Sequence, residues 1–213
     1  MIKFEHTEVM GFDHAIRGAR NPMDSWDRSD SLWGYIEAAD THEMVKYEYI
    51  IGEQDLKLLK KLVAAGTDHA KFMRFINVYV DITAPLYWLK EMDTYRMGVE
   101  KNSCSTMHTI HKKELTVDNF SHDRCESTYA LRFLVNYINR LRDRYLETKD
   151  KRYWYTIIQN LPSSFNQRRT YMISYQALHN MYHARKNHKL DEWRDFCAWI
   201  ETLPYSELIT DEQ

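Results

Sequence analysis

The side chains of this sequence that could do chemistry are two histidine pairs, one cysteine and four arginines. His179 and His183 stand four apart, the spacing that puts two imidazoles on one helix face within reach of one metal ion. No His-Glu-x-x-His arrangement accompanies them, and a polar helix edge explains the pair equally well, so no metal site is assigned. His108 and His111 follow a polar stretch and carry less information. Cys104 lies between Ser103 and Ser105. A thiolate nucleophile needs a base or a cation beside it; Arg96 shares the segment but no base is identifiable, which favours an ordinary loop cysteine. The arginines say more. Arg168, Arg169 and Arg185 bracket one predicted helix and Arg96 follows another. A guanidinium is a planar fork that holds a phosphate bidentately, although solvated surface charges would give the same pattern and spacing alone does not make the four converge. Walker, Gly-x-Gly-x-x-Gly, Gly-x-Ser-x-Gly and paired Cys-x-x-Cys motifs are absent.

The elements that must position these groups follow from periodicity. Lys3 to Val9 alternates weakly and reads as a first strand, and Asp13 to Arg20 as a short helix. Asn21 to Ser31 reads as a loop, packed down by the flanking Trp26 and Trp33. Leu56, Leu59, Leu62 and Val63 predict a helix over 55–65, with Gly66 at its cap. Ile76, Val78, Val80 and Ile82 share one face of a strand whose other face carries Asn77, Tyr79 and Asp81. Pro85 then opens a helix to about Asp93, and 97–106 reads as a loop. Long helical stripes follow over 122–148, 152–160, 170–185 and 189–203, interrupted by Leu161-Pro162. No linker, repeat or shift in composition appears. The expectation is an α+β fold, helix-rich, with a small, mostly antiparallel sheet, in one domain over 1–213.

Composition bounds the function. The 213 residues are 44% apolar and 28% charged, enough for a core and too apolar for wholesale disorder. With 29 basic and 31 acidic residues there is no broad cationic field, which argues against general nucleic-acid or membrane-surface binding while allowing a local arginine cluster for one phosphate. No signal-peptide pattern or long apolar run is present, and three scattered cysteines read as reduced thiols, so the expected location is cytoplasmic.

Two blocks of the chain resemble the flavin-dependent thymidylate synthase family. In that family a helix ending in Gly leads to a strand and then to a helix opening with Ala-Pro. That helix delivers an Arg-His-Arg triplet, and a loop with Asn or Glu, Ser and Arg follows. Here the order is Ala84-Pro85, then Thr94-Tyr95-Arg96, then Asn102-Ser103-Cys104-Ser105. The second block has Leu161-Pro162, Asn180 and, five residues on, Arg185, where the family has Leu-Pro, a flavin-contacting Asn and a nucleotide-contacting Arg. Without a gap the loop Ser aligns with Cys104; one inserted residue aligns it with Ser105 and also matches Asn102, which is the preferred alignment. The blocks cover about half of the chain, and their order and separation carry more than any one of them. Several family positions differ: the first two of the triplet are Thr94-Tyr95, the loop Arg is Met107, and the second helix has Ser174 and Gln176 in place of Asn and Arg, with Ile158 before the Leu-Pro.

The resemblance implies reductive methylation of dUMP, with FAD as cofactor and NADPH and methylenetetrahydrofolate as co-substrates, in a homotetramer with shared pockets. It implies Ser105 and Arg185 as catalytic, Arg96, Asn102 and Asn180 at the flavin, and Tyr95, Ser105, Arg168 and Arg185 at the nucleotide. Arg168, Arg169, Arg20 and Lys101 are the candidates to replace the missing cations. The alternative is a nucleotide-binding protein that senses or sequesters its ligand on the same fold without redox chemistry, favoured by Thr94-Tyr95, Met107, Gln176 and Ile158. A phenol such as Tyr95 stacks on a base but cannot neutralise a pyrophosphate. A structural subunit without a ligand is the third reading.

Overall fold

The computed structural model describes residues 2–37 and 44–211. In chain order the elements are β1 (Lys3–Met10), α1 (Phe12–Arg20), β2 (Leu32–Glu37), β3 (Met44–Ile50), α2 (Glu53–Ala64), β4 (Asn77–Pro85), α3 (Leu86–Met92), β5 (Val99–Ser103), α4 (Thr106–Thr109), α5 (Tyr129–Thr148), α6 (Lys151–Asn160), β6 (Asn166–Ser174), α7 (Tyr175–Arg185), α8 (Asp191–Glu201) and α9 (Glu207–Thr210). The helix-rich α+β expectation with a small antiparallel sheet is borne out.

Four strands form a sheet in the order β1-β4-β6-β5, every pair antiparallel. The alternation seen in the sequence decides its faces: Val78, Val80, Ile82 and Ala84 of β4 are buried with Tyr171 and Ile173 of β6. Burying each such aliphatic side chain contributes about 1.5–3 kcal/mol. Against this face lie α3, α7 and α8, whose Trp88, Trp193 and Phe196 rings pack 4.8–5.7 Å apart. A second, smaller core forms where Val135 and Ile138 of α5 meet Ile157 of α6, with Ile110, Leu115 and Phe120 beneath. Among the described residues no helix is long and apolar enough to cross a membrane.

Several elements differ from expectation. The helix expected over 170–185 begins only at Tyr175, because Asn166–Ser174 is a strand. Tyr171 and Ile173 point into the core while Arg168 and Thr170 stay exposed, and the Ser174 side chain caps the helix by accepting the Ala177 N–H at 3.2 Å. The loop expected over 97–106 contains β5, an edge strand whose charged and polar side chains hid it. The helix expected from His122 starts at Tyr129. The β2–β3 hairpin was not anticipated. The loop over 21–31 is held down by polar contacts, not by tryptophans: Trp26 and Trp33 are about half exposed. Buried Arg20 instead donates to Asp55 (2.6 Å) and to the carbonyls of Ser25 and Arg28, while the Ser29 and Ser31 hydroxyls donate to the same carboxylate, each at 2.6 Å.

Candidate functional site

Asp81 of β4, Asn102 of β5 and Arg168 and Thr170 of β6 lie on the face of the sheet opposite the core. Register sets Asp81 opposite Thr170 and Asn102 also opposite Thr170, with Arg168 two residues along β6. The Asp81 carboxylate accepts from the Thr170 hydroxyl, from Arg168 at 2.6 Å and from His6 at 3.2 Å. His6 reaches it from a bulge in β1, where its φ is +53°. Those hydrogen bonds, the Thr170 hydroxyl first and Arg168 next, hold the Asp81 carboxyl at about 2, well below its ordinary 3.8.

The loop after β5 is clamped to the same edge. The Cys104 N–H donates to the Arg168 carbonyl at 2.9 Å. The Gln167 amide donates to the Cys104 carbonyl at 2.8 Å and to the Thr106 hydroxyl at 3.2 Å. Ser105 caps α4, its hydroxyl accepting the His108 N–H at 3.4 Å. Cys104 is exposed, and its Sγ lies 3.9 Å from the Thr109 hydroxyl, which is no base.

A second patch lies at the end of α7. Arg185 donates to the Tyr95 hydroxyl (2.8 Å) and to Glu91 (3.0 Å), and its guanidinium stands 4.6 Å over the Trp193 ring. Trp193 Nε1 donates to the same Glu91 oxygen at 3.0 Å, and His188 lies 3.5 Å away. Between the patches Asp93 takes Arg169 (2.7 Å) and Lys101. Burial pushes the Asp93 carboxyl up, but these two cations outweigh it and hold it low. The turn joining α3 to β5 passes tightly over the start of α7. Gly98 has φ +70°, and a Cβ there would lie 2.4 Å from Ser174 Oγ. Arg96 is exposed on this turn. Asn180 is exposed on α7, with the Gln176 amide 3.5 Å from its oxygen; the buried Gln176 Oε1 has no partner among the described residues.

The structure therefore brings Asn102, Ser105 and Arg168 together at the β5–β6 edge and Tyr95 together with Arg185. The two sets are held by different carboxylates, Asp81 for Arg168 and Glu91 for Arg185. Asp81, Thr170, His6 and Glu91 were missed as partners; only Asp81, on the polar side of the predicted strand, left any signal in the sequence. The His179–His183 pair is spent on structure. Its rings are 4.4 Å apart, and His179 Nδ1 and His183 Nε2 lie 2.9 and 3.1 Å from the Ile209 carbonyl, tying α9 to α7. Burial pushes His179 below its ordinary value. Among the described residues no group of three or more His, Cys, Asp or Glu side chains is placed to hold a metal ion.

No family model matches the sequence, and no curated protein sequence matches it. Solved structures do match its fold. A flavin-dependent thymidylate synthase from Helicobacter pylori, complexed with FAD and dUMP, superposes with a TM-score of 0.69 at 17% identity, covering 99% of this chain and 98% of that one. A second structure of the synthase from Helicobacter pylori with FAD and dUMP gives 0.68 at 18% identity, covering 99% and 97%. A UMP/dUMP methylase from Streptomyces cacaoi bound with 5-Br dUMP gives 0.62 at 14% identity, covering 99% and 95%. The resemblance carried by two short sequence blocks thus extends, at the level of the fold, over nearly the whole chain, which has the fold of the flavin-dependent thymidylate synthases.

Proposed function

We propose that this protein binds a uridine nucleotide at the outer β5–β6 edge and acts as a flavin-dependent synthase of the thymidylate type. The observation that supports the reading is that strand register and the Cys104–Arg168 backbone bond set Asn102, Ser105 and Arg168 along one edge of this fold, with Asn102 and Arg168 exposed. A phosphate needs a cation that water and ligand can reach. Arg168 meets that need: its side chain is 47% exposed although Asp81 holds one of its nitrogens. Asp81 positions the guanidinium, and Asn102 and Ser105 supply neutral hydrogen-bonding groups beside it.

The residues present also fit a flavin. Arg96 and Asn180 are exposed, and the buried Gln176 carbonyl oxygen next to Asn180 lacks a donor. FAD, when bound, supplies the hydride chemistry, with NADPH and methylenetetrahydrofolate as the co-substrates of the reading. Tyr95 offers a ring face, and Arg185, held by Glu91, fixes the orientation of that ring. By the resemblance, the complete site in this reading is shared between copies, in a cytoplasmic homotetramer.

The test is an absorption spectrum of the purified protein after FAD is added and excess removed, followed by NADPH oxidation with and without dUMP. The expected results are retained flavin bands and dUMP-stimulated oxidation, with Arg168→Ala weakening dUMP by about 10–100-fold, the range of one charge-assisted contact. A colourless protein that uridylates still stabilise thermally moves the reading to nucleotide binding without redox chemistry. A folded protein that neither retains flavin nor responds to nucleotides overturns both.

A further inference from the structure

A groove of about 1220 Å³ contains none of the candidate site residues considered above. It opens between the β2–β3 hairpin, β1 and the segment from Trp199 to Tyr205, and begins on β4 at Tyr79, two residues from Asp81. Aromatic rings form its walls. Trp33 stacks on Tyr47 at 5.8 Å, Tyr35 leans on Tyr47 at 4.9 Å, and Trp199 stacks on Phe4 at 4.8 Å. Phe75 and Tyr79 complete the lining. Trp33, Tyr35, Tyr47 and Phe75 are each more than half exposed, an unusual cost in apolar surface left in water.

The charged groups in this groove have one sign. Glu8, Asp13 and Glu48 line it, and no Lys or Arg does among the described residues; His14 is the single basic side chain. Carboxylates without a facing Lys or Arg disfavour a phosphate-bearing ligand here. The groove is the reverse of the arginine-bearing edge. Ring faces carry negative electrostatic potential, and aromatic walls with carboxylates at hand attract an organic cation in both respects. The volume exceeds that of a bare ammonium group and admits an attached organic body.

We propose that this groove is a binding site for a small organic ammonium ion, held by the faces of Trp33 and Tyr47 and by the carboxylates of Glu8 and Asp13. The proposal stands independently of the nucleotide reading, because the two sites share no residue.

The test compares choline with its neutral isostere 3,3-dimethylbutan-1-ol on the full-length protein, by tryptophan fluorescence and calorimetry. Expected is saturable binding of choline about tenfold tighter than the alcohol, the range of one desolvated cation–π contact. Trp33→Ala and Glu8→Gln, both at surface positions, should each weaken choline by about tenfold while leaving the circular dichroism and the response to dUMP unchanged. Equal affinity for the two probes, no saturable choline binding, or choline binding indifferent to Trp33→Ala overturns the proposal. So does a mass by light scattering that falls on Trp33→Ala while choline has no effect, since the groove is then a contact between copies.

Discussion

Replacing Asp81 by Asn keeps the shape of the side chain and removes its charge, so it tests whether the outer-face cluster is held electrostatically. Asp81 is 18% exposed and accepts from Thr170, Arg168 and His6. Holding its carboxyl at about 2 instead of 3.8 corresponds to about 2.5 kcal/mol as an upper bound, at 1.36 kcal/mol per tenfold in proton affinity. Arg168, the main charged partner, is 47% exposed, so water screens the pair and about 1 kcal/mol is the expected loss on Asp81→Asn at pH 7. The sign follows from the direction. A carboxyl depressed in the folded state stabilises fully above its unfolded value and loses that contribution as pH falls from 3.8 towards 2. Urea midpoints of the two proteins should therefore differ by the full amount at pH 7 and pH 5 and by about half at pH 3. The same gap at pH 3 as at pH 7 would show that Asp81 acts by shape rather than charge, and no gap at pH 7 would show that the cluster holds nothing.

Two further outcomes are expected. Asp55→Ala strands buried Arg20 without its carboxylate and removes the acceptor for Ser29 and Ser31, so it should cost about 3–5 kcal/mol in urea unfolding, with Arg20→Ala,Asp55→Ala less than additive; a cost under about 1 kcal/mol would contradict this network as the anchor of the 21–31 loop. Burial, with Glu201 adding to it, pushes the Cys197 thiol up to about 11, whereas Cys104 and Cys125 are exposed. A thiol-reactive chromophore at pH 8 should count two of the three cysteines in the native protein and the third only on unfolding; three rapid reactions in the native state would contradict the packing of α8 on α7.

How legible each element was depended on whether local pattern and tertiary role agreed. β4 was readable because it lies inside the sheet with one face wholly buried, so its alternation of Val78, Val80 and Ile82 against Tyr79 and Asp81 is clean. β6 was not, because Met172, Tyr175, Leu178, Met181 and Tyr182 continue one helix-like stripe across the strand–helix junction at Ser174, and only the cap marks the break. β5 was hidden by Glu100, Lys101, Asn102 and Ser103, polar because the strand is an edge. The hairpin did carry a period-two aromatic pattern, Trp33 and Tyr35 opposite Tyr49 and Tyr47, but the loop reading of the adjoining 21–31 stretch masked it. For the site, the resemblance named Asn102, Ser105 and Arg168 separately, and only the β5–β6 register sets them along one edge. The partner of Arg168 could not be found that way, because Asp81 lies 87 residues earlier and meets it only through the β4–β6 register.

That partnership changes what the arginines mean. In the sequence Arg168, Arg169 and Arg185 look like one phosphate cluster; in the fold each has its own carboxylate, Asp81, Asp93 and Glu91 respectively. An anionic ligand at any of these three must therefore compete with an internal ion pair, and the competition is unequal. Arg169 and Arg185 are 11% and 19% exposed, Arg169 shares its carboxylate with Lys101, and Arg185 is additionally stacked on Trp193. Their carboxylates, Asp93 and Glu91, are 39% and 35% exposed, so what resists recruitment is the burial of the two guanidinium groups themselves, which an anion reaches less readily than Arg168. Arg168 is half in water, and Asp81 keeps Thr170 and His6 as donors if the guanidinium turns outward. In the proposed reading the internal pairs rank the three cations: Arg168 is the most open to a phosphate, while Arg169 and Arg185 hold the edge and the ring of Tyr95.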